Sequence, residues 1–354
     1  MRDITIARHL LPEADQEREE ILKKYFCELG ASAVANGDHW NIKLFRPTDA
    51  EFYVDPDIAE GIRWWSRRFE QVDLSDIPFT LTQLPGWQLS LNDSWTLYSW
   101  SQWFQQKGEL VGPPKCVTVL HLDDHDDLMT PRVAVGPQSG FRDLISAAEI
   151  DLRNASTVAA AVTSGAIGIG SFMAPLLHAF PNVHVRHLCS TEYSDARKGP
   201  HAVTAVQVFD DLLSPGSVRP ALRLSRLDDV TATHLSAISH PYIVTDDLGS
   251  WLEDLPPGPV LLHIDMDYFN NRFNGDSDWV DEGPKYDPPL SQVLDRIDGV
   301  FASLESSGIV QRVEDFAVAL SPGFFPADLW EPTIDRISLQ VERLVAAGYW
   351  QKRK

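Results

Sequence analysis

From about residue 88 to the C-terminal end, short apolar runs rich in β-branched residues alternate with longer stretches of helical pattern. This alternation is typical of βαβ units, in which helices join parallel strands and cover the sheet. We predict strands at residues 116–123, 183–189, 221–225, 242–245, 260–267 and 316–321. We predict helices at residues 95–106, 202–213, 290–307 and 333–347. The pattern therefore indicates an α/β fold with a mainly parallel sheet.

The first 87 residues follow a different pattern. A charged helical stretch at 14–29 is followed by short apolar and aromatic pieces with Trp64 and Trp65, and then by a break containing proline and glycine at 84–86. We predict a small N-terminal appendage over 1–87, of unknown role, and one domain over 88–354. A lid, a partner-binding element and a packing extension are the open roles for the appendage, and we favour the last.

The charged residues of the chain indicate which classes of partner the protein binds. Lys and Arg number 30 against 51 Asp and Glu, which gives a formal net charge of -21. This charge argues against nucleic acid, because phosphates need Lys and Arg to replace their counterions. It favours a cationic partner, or else simply an acidic surface that keeps the protein in solution. Without an apolar run of about 18 residues or a signal-peptide pattern, we expect a cytoplasmic protein with no membrane partner.

The cysteines give no sign of a cross-linked or thiolate-based fold. Cys27, Cys116 and Cys189 are odd in number, and no two of them have CxxC spacing. Neither a disulfide framework nor a thiolate zinc site is therefore supported. We expect all three to be small buried hydrophobic residues.

Acidic residues crowd the ends of two predicted strands. The run VTVLHL leads directly into Asp123, Asp124, His125, Asp126 and Asp127. The run VLLHI leads into Asp265 and Asp267. Side chains alternate along a strand, so Asp123 and His125 share one face, as do Asp265 and Asp267, while Asp124 and Asp126 point away. Asp127 lies just past the strand end and can curl back toward the same point.

This crowding predicts a metal site. Ligands of parallel sheets bind beyond the carboxyl ends of the strands, and uncompensated carboxylates there repel one another. A lone D-x-D is often a turn, and a lone histidine is often a core residue, but their joint occurrence favours ligation. The set is oxygen-rich, suits Mn²⁺ better than a thiolate site would, and is large enough for two ions. The predicted metal ligands are Asp123, His125, Asp127, Asp265 and Asp267.

DDHDD at 123–127 and HIDMD at 263–267 resemble the D-x-H-x-D and D-x-D motifs of the arginase and deacetylase superfamily. LNDSWTLYSWSQW, IGIGSFMAPLLHA and FAVALSPGFFPADLW also resemble, in order, the branch that includes the peptide arginases. Those enzymes convert arginine side chains of ribosomally made precursor peptides to ornithine and urea. The resemblance covers about residues 88–348 and implies a three-layer α/β/α sandwich. It also implies two Mn²⁺ ions, because the ureohydrolases keep the extra aspartates whereas the deacetylases hold one zinc.

The resemblance further implies roles for individual residues. Asp123 and Asp265 match bridging ligands, and Asp127 and His125 are the candidate catalytic residues. Asp127 would take a proton from the attacking hydroxide and pass it toward the leaving amine. His121 and His263 would either shuttle protons or hydrogen-bond to a metal-bound carboxylate, and we favour the second role.

Two departures from the family pattern affect the metal site and the substrate. Ser94 stands where the family has its remaining histidine ligand, so Asp93 would compensate, or the first metal site would be weakened or empty. The guanidinium-binding glutamate of free-arginine arginases is missing before Ser321 and Pro322. Free arginine is therefore disfavoured as the substrate. The candidate acids for the cation are Glu192, Asp276 and Asp278.

Two other functions are open. One is metal-dependent hydrolysis of a different C–N bond, by an amidohydrolase or a deacetylase acting on an acylated lysine or polyamine. The other is binding of basic peptides in an acidic cleft without catalysis. The arginase reaction on a peptide is the function that we favour, because paired motifs, branch resemblance and acidic charge agree. Neither the peptide nor the oligomeric state can be predicted from the sequence.

Overall fold

The computed structural model describes residues 4–26, 29–110, 116–136, 140–190, 197–227 and 240–350. The helices are α1 (Asp15–Phe26), α2 (Ile58–Arg68), α3 (Trp95–Leu110), α4 (Ala155–Ser164), α5 (Met173–Ala179), α6 (Leu248–Leu252), α7 (Trp279–Glu282), α8 (Leu290–Ser306) and α9 (Trp330–Ala346). The first strands are β1 (Ile4–Ala7), β2 (Gly30–Asn36), β3 (His39–Phe45), β4 (Leu81–Leu84), β5 (Trp87–Ser90) and β6 (Val117–Leu122). The remaining strands are β7 (Val133–Val135), β8 (Phe141–Asp143), β9 (Glu149–Ile150), β10 (Val183–Leu188), β11 (Gly199–Phe209), β12 (Val218–Arg226), β13 (His240–Thr245), β14 (Val260–Asp265) and β15 (Val313–Ala319).

Within the described ranges, a mixed sheet of nine strands has the order β12-β11-β13-β10-β6-β14-β15-β5-β4. The strands from β13 to β5 in this order run parallel, whereas β11 and β12 at one edge and β4 at the other pair antiparallel. The α/β class is therefore confirmed, and the architecture is compatible with a three-layer sandwich. β6 and β14 lie in the middle, so helices and other strands shield them from solvent.

One predicted helix is wrong. Residues 202–213 were expected to be helical, but β11 covers most of this stretch and pairs with β12 over its whole length, with Phe209 opposite Val218. Burial along the second half of β11 alternates, as expected for a strand with one covered face. The valines at 203, 206 and 208 favour strand, and the hairpin supplies the backbone partners that decide the conformation.

The two faces of the sheet are covered by different sets of helices. Val117 and Val119 of β6 pack in a core with α3, α4 and α5. Leu120 and Leu122 point the other way, into a core with α2, α8 and α9. This alternation fixes the direction of the polar residues that continue the strand. His121 follows Val117 and Val119 and therefore lies on the face covered by α3 and α5.

The N-terminal residues contribute to two different regions. Strands β1, β3 and β2 form their own antiparallel sheet, and a separate apolar cluster forms between it and α1 around Ile6, Phe26 and Trp40. From Tyr53 onward the chain joins the large core, where Trp65 of α2 is fully buried. Strands β4 and β5 belong to the large sheet. The division of the chain at residue 87 stays a prediction.

Helix length and polarity bear on membrane insertion. Across the part of the chain that the structure describes, none of the helices combines the length and the apolar character needed to cross a bilayer.

The segment before α2 is tied to the turn before α9 by a buried aspartate. Asp55 is 1% exposed, its Oδ1 accepts a 2.8 Å hydrogen bond from the amide of Asp57, and its Oδ2 accepts a 2.7 Å bond from the amide of Ala327. Burial raises the pKa of Asp55 to about 6, and the two backbone donors oppose this increase.

We expect Asp55→Ala to lower the free energy of unfolding by about 1–3 kcal/mol, because the buried amide of Ala327 loses its acceptor. Urea denaturation at pH 7 measures the change. Asp57→Ala is the matched control, since Asp57 is exposed and its side chain makes no cap hydrogen bond, so its effect should stay within about 0.5 kcal/mol. Equal losses in the two variants would contradict the role assigned to Asp55.

Candidate metal centre

The pairing of β6 with β14 brings the two acidic motifs to one edge of the sheet. These strands are parallel neighbours, with His121 opposite His263 and Leu122 opposite Ile264. Asp123 and Asp265 each come next along their strands, at the same level. Because the register is direct, the carboxylates that follow the strands emerge side by side.

One group of candidate ligands consists of Asp123, His125 and Asp267. Their ligand atoms all lie within 4.8 Å of one another. His125 Nδ1 is 2.8 Å from Asp267 Oδ2 and 3.5 Å from Asp123 Oδ1. The backbone amide of His125 also donates to Asp123 Oδ1 at 2.6 Å. His125 is the accessible member, with 34% of its side chain exposed, and it therefore faces whatever enters from solvent.

A second group lies deeper and shares Asp123 with the first. It consists of His121, Asp123, Asp127 and His263, all buried, with ligand atoms within 4.8 Å of one another. His121 Nε2 is 3.8 Å from Asp123 Oδ2 and 3.6 Å from Asp127 Oδ2. This cluster could hold a metal ion. For His121 and His263 the favoured prediction is a hydrogen bond to a metal-bound carboxylate, and the H-x-D spacing at the start of each motif is the signal that they face the same point.

Hydrogen bonds around the two histidines define their tautomers. His121 Nε2 lies 3.1 Å from the carbonyl oxygen of His125, which only accepts, so Nε2 carries the proton. His121 Nδ1 then accepts from His263 Nδ1 at 3.0 Å, so a metal would bind His121 only by displacing one of these two hydrogen bonds. The lone pair of His263 Nε2 remains, and this buried nitrogen has no hydrogen-bond partner among the described residues. Burial lowers the pKa of His263 to about 3, so the ring is neutral, which is the form that ligates metals.

The buried carboxyls carry a large electrostatic cost. Burial raises the pKa of Asp123, Asp127 and Asp265 well above the usual range, and neighbouring carboxylates add to the effect. Asp123 Oδ2 and Asp127 Oδ2 are buried without a hydrogen-bond partner in the described part of the chain. A divalent cation would pair with these oxygens and offset the repulsion. The donor set therefore fits an ion that prefers oxygen with some nitrogen.

The same group of carboxylates also changes the pKa of His125, whose charged form is a cation. Burial disfavours its cation, but the charges of Asp267, Asp127 and Asp265 outweigh that cost and raise the pKa of His125 to about 10. A protonated imidazole is thus the cation that this cluster selects from the protein's own side chains. A bound metal would replace that proton, since a ligating histidine must be neutral.

Asp265 is held by hydrogen bonds and lies outside both tight groups. Ser321 Oγ donates to its Oδ2, and the amide of Asp267 donates to its Oδ1 at 3.1 Å. Asp127 and Ser321 both adopt positive φ, at 52° and 44°, a conformation that is uncommon outside glycine. Such strain persists where the surrounding structure fixes it, and here it aims both side chains into the cleft.

Asp93 lies on the cleft, whereas its neighbour Ser94 does not. Both are buried at the start of α3. Asp93 lines the cleft, and its Oδ2 accepts a 2.7 Å hydrogen bond from the amide of Gly170. Ser94 is absent from the described lining, and its Oγ finds no hydrogen-bond partner there. Asp93 thus adds a further carboxylate to the cleft.

A cleft of about 160 Å³ leads to these groups. Its lining consists of Asp93, His125, Asp126, Asp127, Met129, Ile169, Gly170, Arg197, Asp265, Asp267, Ser321 and Phe324. Asp126, which the alternation argument left out of the site, therefore lies on the cleft. Asp276 and Asp278 are exposed and lie outside this lining, whereas Glu192 falls outside the described residues.

Asp124, the other aspartate left out, is turned away from the two ligand groups. Its Oδ1 accepts a 3.0 Å hydrogen bond from the amide of Ser190, and Asn271 donates to its Oδ2 at 3.4 Å. Burial raises the pKa of Asp124 to about 6. Its carboxyl thus helps to hold Ser190, just after β10, beside the site.

Comparison of the sequence with models of known protein families and with curated proteins finds no match. Asp123 Oδ2, Asp127 Oδ2 and His263 Nε2 are buried and have no hydrogen-bond partner within the described residues, and Asp127 lines the cleft.

The raised carboxyl pKa values predict how stability depends on pH. A carboxyl whose folded-state pKa exceeds its unfolded value binds more protons when folded, so its stabilising contribution is lost as pH rises through the folded value. Metal binding needs the deprotonated forms and strengthens with pH. We expect chelator-treated protein to lose thermal stability as pH rises above about 4, the ordinary pKa of an aspartate, and added Mn²⁺ to restore more stability at pH 8 than at pH 5.

Thermal unfolding of the wild type, Asp123→Asn and Asp276→Asn tests this dependence. Asp123→Asn should flatten the pH dependence of the chelated protein and reduce the effect of Mn²⁺. Asp276→Asn removes the same charge from an exposed position and should behave as the wild type. A Mn²⁺ effect that is the same at every pH, or is unchanged in Asp123→Asn, would contradict metal binding at these carboxyls.

Proposed function

We propose that this protein is a manganese-dependent hydrolase of the arginase and deacetylase superfamily, which converts arginine side chains of a precursor peptide to ornithine and urea. The observation that carries the proposal is the pair of buried oxygens, Asp123 Oδ2 and Asp127 Oδ2, which have no hydrogen-bond partner among the described residues, beside a cleft that Asp127 lines. The motif resemblance supplies the reaction. The mixed nine-stranded sheet supports the three-layer sandwich of that superfamily as the underlying fold.

The arrangement of the ligands supports two metal ions. The group of Asp123, His125 and Asp267 and the group of His121, Asp123, Asp127 and His263 have Asp123 in common. A shared carboxylate is what a bridging ligand requires, and this agrees with the bridging role that the resemblance implies for Asp123. Asp93 and Asp265 line the same cleft and add two more carboxylates to the set.

The reaction requires an activated water and a group that moves protons. When bound, divalent metal ions act as Lewis acids and lower the pKa of water from about 15.7 toward about 7. Asp127 lines the cleft with an unpaired Oδ2, so it can take the proton of the water that attacks the guanidinium carbon. Asp127 then returns this proton to the side-chain nitrogen as the carbon–nitrogen bond breaks, and the remaining hydroxyl proton passes from the protonated urea to the freed amine, giving ornithine and urea.

The size of the cleft supports a peptide side chain as the substrate. Pockets for drug-sized ligands measure about 300–1,000 Å³. The cleft here, at about 160 Å³, accommodates a side chain and leaves the peptide backbone outside. The net charge of -21 would attract a basic peptide over a longer range.

We expect protein purified with Mn²⁺ to contain about two Mn per chain and to release urea from arginine peptides. Asp265→Ala should lose metal and reduce urea release by more than about 100-fold, because even changes to residues behind a ligand cost about 10- to 100-fold. Asp276→Ala, which removes an exposed acid, should keep both properties. Elemental analysis and a urea assay on an arginine peptide measure the two outcomes.

Other results select the alternative functions. Release of acetate from an acetyl-lysine peptide without urea would identify a deacetylase-like hydrolase. Fewer than one metal per chain, together with peptide binding that survives a chelator, would identify a binding protein without catalysis.

A further inference from the structure

We propose that Asp126, with the apolar side chains of Met129 and Phe324, makes the mouth of the cleft selective for one long, unbranched, cationic side chain. All three residues line the cleft, and none belongs to either ligand group. The inference rests on the proposed function in one respect, namely that cations occupy the floor. It goes beyond that function by naming the residues that choose the substrate.

Charge balance requires an acid outside the metal cluster. Once the floor carboxylates hold divalent ions, most of their negative charge is offset, and the positive end of a substrate gains less from them. Asp126 lies on the cleft and is partly exposed, and its Oδ1 accepts a hydrogen bond of 3.3 Å from the amide of Leu128. Its carboxylate can therefore pair with a cation that enters from solvent.

An independent observation indicates that the cleft takes a ligand. Asp127, next to Asp126 in the chain, is 4% exposed and lines the same cleft, yet its Oδ2 has no hydrogen-bond partner among the described residues. A buried carboxylate oxygen of this kind is paired either by a proton shared with Asp123 or by a cation that enters the cleft. The acid at the mouth and the unpaired oxygen at the floor thus lie along one path.

The apolar part of the mouth suits an aliphatic chain. Met129 is 55% exposed, and the ring centroid of Phe324 lies 5.2 Å from that of His125. The amide of Met129 donates to Gly170 O at 2.9 Å, which fixes this rim. Gly170 has φ of 66°, and a Cβ there would lie 3.1 Å from Met129 Sδ, so glycine leaves room for the methionine. The methylene groups of lysine or arginine pack well on such surfaces.

Equilibrium binding of two short peptides tests the selection. One peptide carries a lysine and the other carries norleucine, which has the same aliphatic chain without the ammonium group. Neither can release urea or acetate, so binding to the Mn²⁺-loaded protein stays at equilibrium. Fluorescence anisotropy gives the preference for lysine as the ratio of the two dissociation constants.

We expect Asp126→Asn to reduce the lysine preference about tenfold while it leaves the metal content unchanged, because the amide keeps the hydrogen bond to Leu128 but loses the charge. Asp276→Asn is the matched control and should keep the wild-type preference. Met129→Ala should weaken the binding of both peptides by about fivefold and leave the ratio of their dissociation constants unchanged. Leu339→Ala, at an equally exposed position on α9, should change neither affinity.

Three results would overturn the inference: a wild type without lysine preference, a preference that survives Asp126→Asn, or an equal loss in Asp276→Asn. Arg197→Gln separates direct contact from net charge, because Arg197 is the basic residue of the described lining. If this variant raises the lysine preference as much as Asp126→Asn lowers it, the preference depends on the net charge of the cleft and not on a contact with Asp126. Lysine preference without urea from arginine peptides would refute only the proposed function.

Discussion

The in-register pairing of β6 with β14 is the interaction on which the candidate site depends. It places His121 beside His263 and brings Asp123 level with Asp265 at the carboxyl edge of the sheet. Side chains on a strand alternate, so a slip of one residue would turn every polar group into the opposite core. The apolar residues that alternate with these polar groups, such as Leu120 and Ile264, fix the register, because each must face the core that α2, α8 and α9 cover.

Packing also explains how the protein tolerates so many buried acids. The strands that carry them lie at the centre of the sheet, where both faces are covered by apolar cores. That surrounding structure holds the carboxyls close together although burial raises the pKa of Asp123 and Asp127 well above the usual range. A rigid frame of this kind keeps ligands in place before a metal arrives, and the repulsion between them favours the bound state.

A row of three histidines lies in the sheet just before the carboxylates at the ends of β6 and β14. His187, His121 and His263 occupy the same level on three adjacent strands. His187 Nε2 donates to the carbonyl oxygen of Asp123 at 2.9 Å and accepts at Nδ1 from the hydroxyl of Tyr242 at 3.1 Å. Burial keeps all three rings neutral, so each can donate through one nitrogen and accept through the other. The row thus orients both the ligands and the backbone that carries them.

The sequence by itself determined the α/β class, the central strands and the two acidic motifs, because buried β-branched runs ending in aspartate leave few alternatives. It failed at residues 202–213, where pairing of β11 with β12 decided between strand and helix. Only the tertiary structure put Asp93 on the cleft and Asp126 at its mouth. Asp93 lies just before α3, and Asp126 lies in the loop after β6, next to the positive φ of Asp127. Loop conformations of this kind follow from the packing of distant segments, and alternation along a strand cannot reveal them.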